Sequence, residues 1–217
     1  MFFYYFRNVL FDNMINNINE SLRMIFTSEN LSTHHFNNMQ KVLNTRVGRS
    51  HFANILYQSK FKDLKNQILT ETSFNNLYKL ILIALIQCED DVSQYNDIRL
   101  ITKSCFFYYK MEKNKEIYIF QETSKKLNNN KIWLNDEFWM FCFEKEVGET
   151  QNNFSKEDDF YFNILISIAN TMSQLNISLN YIIKIITNDL ATNIFTNNEL
   201  VKELSLGITK QHKNNKY

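Results

Sequence analysis

Apolar residues recur along this chain at helical spacing, and few stretches alternate as a strand would. In "TSFNNLYKLILIALIQC", Phe74, Leu77, Leu80/Ile81, Ala84/Leu85 and Cys88 fall on one face, with Thr72 as the expected N-cap. The next stretch, "VSQYNDIRLITKSCFFYYK", repeats the pattern with Val92, Tyr95, Ile98, Ile101 or Thr102, and Cys105. Together they predict a helical hairpin joined by the acidic turn "EDD" at 89–91. "NDEFWMFCFEKEV" predicts a helix capped by Asn135, with Asp136 and Glu137 where a helix dipole favours acids. "SKEDDFYFNILISIANTMSQL" opens at Ser155 and Asp158 and sets Phe162, Leu165, Ile166, Ala169 and Met172 on one stripe.

Residues 8–27 and 34–45, "SLNYIIKIITNDL" and "NNELVKELSLGITKQ" read as helices too. The expected fold class is therefore all-α: a multi-helix bundle or irregular α-array of about nine helices, with no significant sheet. Only "EIYIFQE" at 116–122 competes as a strand, and its neighbours favour helix. The polar tract "GETQNNFSKEDD" divides an expected main helical body, 1–147, from a C-terminal helical hairpin, 156–212, packed on it as one structural domain.

Composition sharpens this picture. A chain of 217 residues is one large domain or two small ones. Proline is absent and glycine occurs three times, too few for a fold built on tight turns. Asparagine is abundant and tolerates the left-handed positions that turns and helix ends need. The net charge of +1 argues against a nucleic-acid partner, which calls for a strongly basic field. Cys88, Cys105 and Cys142 are odd in number and sit beside apolar residues, as reduced thiols in a cytoplasmic protein do. The N-terminal stretch lacks the features of a signal peptide, and "LILIALI" at 80–86 is far short of the ~20 residues a membrane span needs. The expected location is cytoplasmic, with peripheral contact to membranes left open.

Chemistry is sparse. "VLNTRVGRSHFANILYQSK" carries Gly48 between Arg46 and Arg49, with Lys41 just before it and His51 just after. A phosphate cradle needs several glycines so that consecutive N–H groups turn toward one anion, and only Gly48 is present. One reading makes Gly48 a left-handed or close-packed joint between two helices, with Ser50 capping the second. The other makes Lys41, Arg46, Arg49 and His51 an anion- or partner-binding set. Cysteine-dependent phosphatase chemistry needs an arginine six residues beyond the cysteine, where Gln94, Met111 and Gly148 stand instead. The histidines and acidic clusters lack metal-ligand spacing. The aromatics of "CFFYYK", "FWMFCF" and "FYF" suit core contacts better than base stacking. No catalytic residue, cofactor or metal is expected.

"GRSHFANIL", "FNNLYKLILIALIQCEDDVSQYNDIRLITKSCFFYY" and "IWLNDEFWMFCF" resemble the helical domain of SET-binding-factor proteins, the DENN-containing, myotubularin-related pseudophosphatases. The positions that carry the likeness are Gly48, Arg49, Phe52, Cys88, Glu89, Asp90, Phe107, Tyr108, Tyr109, Ile132, Trp133, Phe138 and Trp139, over roughly residues 40–190. The resemblance implies a scaffolding part in Rab- and phosphoinositide-linked membrane traffic, with a small GTPase or trafficking factor as partner. It does not extend to the exchange-factor or phosphatase modules. The expected function is a non-catalytic helical protein-interaction module. The alternative is a peripheral module that meets anionic lipid headgroups through Lys41, Arg46 and Arg49.

Overall fold

A computed structural model describes residues 2–29, 31–62, 67–88, 92–127, 131–150 and 157–214. They form α1 (Phe2–Phe26), α2 (Thr33–Leu43), α3 (Arg46–Lys62), α4 (Glu71–Gln87), α5 (Tyr95–Cys105), α6 (Ile119–Leu127), α7 (Asp136–Thr150), α8 (Glu157–Gln174), α9 (Leu179–Ile183), α10 (Thr192–Ile194) and α11 (Asn198–Asn214). A π-helical segment, Lys184–Ala191, joins α9 and α10 into one rod. The all-α expectation holds. Among the described residues no helix is long and apolar enough to cross a membrane.

The helix boundaries follow local chemistry. Ser32 and Ser178 cap α2 and α9, accepting from the N–H of His35 and Tyr181. Thr70, not Thr72, caps α4 by accepting from Ser73 N–H. Asn135 Oδ1 accepts from Glu137 N–H at 2.9 Å, as its sequence position suggests. Two helices end in left-handed residues, Ser28 after α1 and Asn176 after α8. In each case the following residue's N–H bonds back to a carbonyl five residues earlier: Glu29 to Met24, and Ile177 to Met172.

Contacts group the chain into Met1–Thr123 and Ser124–Tyr217, with the boundary inside α6. Of the polar tract at 148–159, residues 148–150 end α7 and 157–159 begin α8, while 151–156 lie outside the described residues. The acidic turn at 89–91 lies outside them as well.

In the first unit α1 to α4 bury Ile18, Leu22, Ile25, Met39, Leu43, Phe52, Leu56, Leu77 and Ile81. Burying each such side chain contributes roughly 1.5–3 kcal/mol before conformational entropy is charged. The α4 stripe lies as read, with Phe74, Leu77, Leu80, Ile81, Ala84, Leu85 and Cys88 all buried. α5 packs chiefly on α3 rather than making a tight hairpin with α4. Its stripe also begins later than expected, because Val92 is 54% exposed.

The aromatic stretch after α5 is a correction to the helical reading. α5 stops at Cys105, and the chain makes strands β2 (Tyr108–Glu112) and β3 (Lys115–Tyr118) beside the two-residue β1 (Gln67–Ile68). β1 pairs parallel with β2, and β2 antiparallel with β3, in the order β1-β2-β3. Lys113 and Asn114 close the hairpin with φ of 48° and 64°, the signature of a type I′ turn. "EIYIFQE" is thus half strand and half α6.

The hairpin is pinned to the helices through alternate side chains. Tyr108 is buried, donates its hydroxyl to Leu56 O at 3.1 Å and stacks on Phe26 at 5.2 Å. Lys110 Nζ bonds both Glu71 carboxylate oxygens at 2.9 Å and lies 5.1 Å from the Phe74 ring centre. Aromatic residues here build the core, as their composition suggests.

The second unit packs α7, α8, the α9–α10 rod and α11 around Trp133, Phe138, Leu165, Met172, Ile182, Leu204 and Ile208. Trp139 Nε1 donates to Trp133 O at 2.9 Å, which fixes the 3-10 turn Lys131–Leu134 against α7. The buried face of α8 is rotated slightly from the expected stripe. Leu165, Ala169 and Met172 are on it, but Phe160, Ile164 and Ile168 join them while Phe162 and Ile166 are only half-buried.

Candidate functional site

The junction of α2 and α3 shows what the Gly48 segment is for. The chain leaves α2 at Leu43 and passes Asn44 and Thr45, and α3 starts at Arg46. Thr45 is the cap: its hydroxyl oxygen accepts from Gly48 N–H at 3.1 Å and itself donates to Val42 O at 2.8 Å. Ser50 does not cap. It lies inside α3 and donates its hydroxyl to Asp97 Oδ2 of α5.

Gly48 therefore sits in the first turn of α3, not in the joint, and its φ is not positive. It is glycine because the end of α2 passes against it. A Cβ built there would overlap the Val42 carbonyl oxygen, with Val42 Cγ1 at 2.7 Å. Close packing is the demand, and left-handed backbone is not.

Arg49 faces inward, with 6% of its surface exposed. Its Nε and Nη2 both donate to Gln94 Oε1, at 3.0 and 2.8 Å, and Nη1 donates to Leu43 O at 2.9 Å. The guanidinium thereby ties the last carbonyls of α2 to the start of α5. A cation at the C-terminal end of one helix is well placed, because that end carries partial negative charge. Arg49 cannot meet an anion arriving from solvent.

Arg46 is exposed and donates Nη2 to Ser93 O at 3.2 Å. Lys41 is exposed in the last turn of α2. His51 is half-buried, and its Nε2 has no hydrogen-bond partner among the described residues. The four expected residues consequently divide: Arg46 and Lys41 lie on the surface, Arg49 is a clamp, and His51 packs. Beside Arg46 are two exposed apolar side chains, Val47 at 51% and Val92 at 54%. Gln94 and Asp97, the partners of Arg49 and Ser50, escaped the sequence reading. They lie 45 and 47 residues away from them, and no local pattern links them.

Burial alone pulls the His51 imidazole below its usual value of 6.5. The unfolded chain then binds that proton more readily than the folded one, so the group lowers stability as pH falls through 6.5 and has no effect well above it. The urea midpoint should drop between neutral and mildly acidic pH, and His51→Gln should make that drop smaller. An unchanged pH profile in His51→Gln would show that the imidazole is not the titrating group.

All three cysteines are buried, and desolvation pushes the Cys105 thiol up to about 12. It is a packing residue and no nucleophile at neutral pH. Among the described residues no group of three His, Cys, Asp or Glu could hold a metal ion.

Comparison with family models, curated proteins and solved structures gives no match to this chain.

Proposed function

We propose that this chain is a non-catalytic helical interaction module that binds another protein at the corner where α3 and α5 begin. The observation that carries the reading is the pair of exposed valines, Val47 and Val92, on the two residues adjoining the Arg46–Ser93 contact. Large apolar side chains held in water on a rigid surface, next to an arginine, have the composition of a protein contact. The surface is rigid because Arg49, Gln94 and Leu43 O lock the helices beneath it. A trafficking factor or small GTPase is the class of partner that the family resemblance suggests.

The lipid-headgroup alternative loses one of its three cations, since Arg49 is spent inside the protein. Affinity capture with the wild-type chain should recover one stoichiometric partner at physiological salt. Val47→Glu combined with Val92→Glu should lose it, and Leu206→Glu, at an exposed position on α11, should keep it. Circular dichroism would verify that the variants fold. Retention of the partner by the double variant, or background binding alone, would remove this reading.

A further inference from the structure

The small sheet has two unlike faces. Tyr108 and Lys110 of β2 reach the helices, through Leu56 O and Glu71, and the strand pleat turns Tyr109 and Met111 the other way. The register places Ile68 of β1, Tyr109 of β2 and Tyr118 of β3 in one row across that outer face, with Met111 and Glu116 in the next. Ring contacts continue the row, from Tyr109 to Tyr118 at 5.1 Å, to Phe120 at 5.9 Å and on to Phe106 at 4.5 Å. Ile68 is 64% exposed and Met111 50%, so this end of the face is open to water. Large apolar side chains held together on a sheet face mark a contact surface.

The hairpin tip says what covers it. The run Glu112-Lys113-Asn114-Lys115-Glu116 reads the same in both directions and sets two acids against two lysines, all exposed. Among the described residues neither Lys113 nor Lys115 has an acidic partner, and Glu116 accepts the Tyr118 hydroxyl at 2.6 Å. A balanced tip offers little to a strongly acidic or strongly basic partner, but it is complementary to a copy of itself. A twofold axis through the face near Met111 sets the lysines of each copy across from the glutamates of the other, and brings the apolar residues of both together.

We propose that the outer face of this sheet is a self-association surface, and that its occupant is a second copy of the chain related by a twofold axis. The exposed apolar area is small, so the dimer is reversible and forms as concentration rises. The surface shares no residue with the Val47 and Val92 corner, so either reading can fail without the other.

Sedimentation equilibrium of the full chain tests this. The wild type should be a mixture of monomer and dimer whose dimer fraction grows with concentration. Ile68→Ser combined with Met111→Ser should raise the dissociation constant about tenfold. Lys113→Glu with Lys115→Glu, and Glu112→Lys with Glu116→Lys, should each be monomeric alone and should dimerise when the two are mixed. Circular dichroism would verify that each variant folds. A wild type that stays monomeric at its highest soluble concentration would overturn the proposal. So would serine variants that dimerise as the wild type does, or folded charge variants that fail to pair on mixing.

Discussion

Gly48→Ala should lower stability by about 2 kcal/mol, the usual cost of forcing a methyl group into filled space. Helix propensity alone predicts the opposite, a gain of nearly 1 kcal/mol for alanine over glycine inside a helix. The clash should win because the atom in the way cannot move cheaply. Val42 O accepts from Thr45 N–H at 3.0 Å and from the Thr45 hydroxyl at 2.8 Å, and Thr45 in turn caps α3. Moving the carbonyl would break the cap, and moving α3 would disturb the Arg49 clamp. Gly148→Ala is the matched control. It lies in α7 with nothing within 4 Å of the added Cβ, so propensity should prevail and stability should rise. Urea denaturation of the two variants should give shifts of opposite sign. A Gly48→Ala chain as stable as wild type would refute the close approach of α2 to α3.

Arg49→Ala should cost about 3 kcal/mol, since it strips Gln94 Oε1 and Leu43 O of charge-assisted donors in a buried place. Arg49→Lys should recover little of this. A lysine keeps the charge but cannot send two N–H groups to one amide oxygen and a third to a carbonyl. The sharper result concerns the pair. Gln94→Leu alone leaves the guanidinium short of its main acceptor, whereas Arg49→Met with Gln94→Leu removes both polar groups together. The double variant should therefore be less damaged than the sum of its parts, with a coupling above about 1 kcal/mol. Additive losses would mean that the two side chains do not share an interaction. This outcome also bears on function: a charge reversal at Arg49 would report unfolding, so any test of anion binding belongs on Arg46 and Lys41.

The β-hairpin shows how a local signal can be present and still be outweighed. "MEKNKEI" holds a two-residue Lys113-Asn114 turn between two short strands that are buried at their far ends, Tyr108 and Tyr109, and exposed near the turn. Read alone, that run of Tyr, Phe and Ile fits a helical stripe as well as a strand, and Lys-Asn is a weaker turn sign than Asn-Gly. What tips the balance is Tyr108, whose hydroxyl reaches Leu56 O and whose ring meets Phe26. Those partners lie far away in the chain.

The candidate surface follows the same logic. Lys41, Arg46, Arg49 and His51 are neighbours along the chain, but what separates the two arginines is depth and not helix face. Arg46 and Arg49, three residues apart in α3, share a side and bond the adjacent residues Ser93 and Gln94, the first from the exposed start of the helix and the second one turn further in. Arg46 points to solvent and Arg49, three residues on, points into the α2–α3–α5 junction. The spacing of Val92 fits the buried stripe of α5, yet α5 begins three residues later, after a 3-10 turn.

Periodicity by itself determined the helices. The spacing of Phe74, Leu77, Ile81, Leu85 and Cys88, and the cap at Asn135, depend on neighbours within one or two turns, and such interactions are written in contiguous residues. Only the tertiary structure decided which cation is buried, why Gly48 lacks a side chain, and where the aromatic run turns into a sheet. Each of those outcomes is set by atoms dozens of positions apart competing for the same space and the same hydrogen bonds.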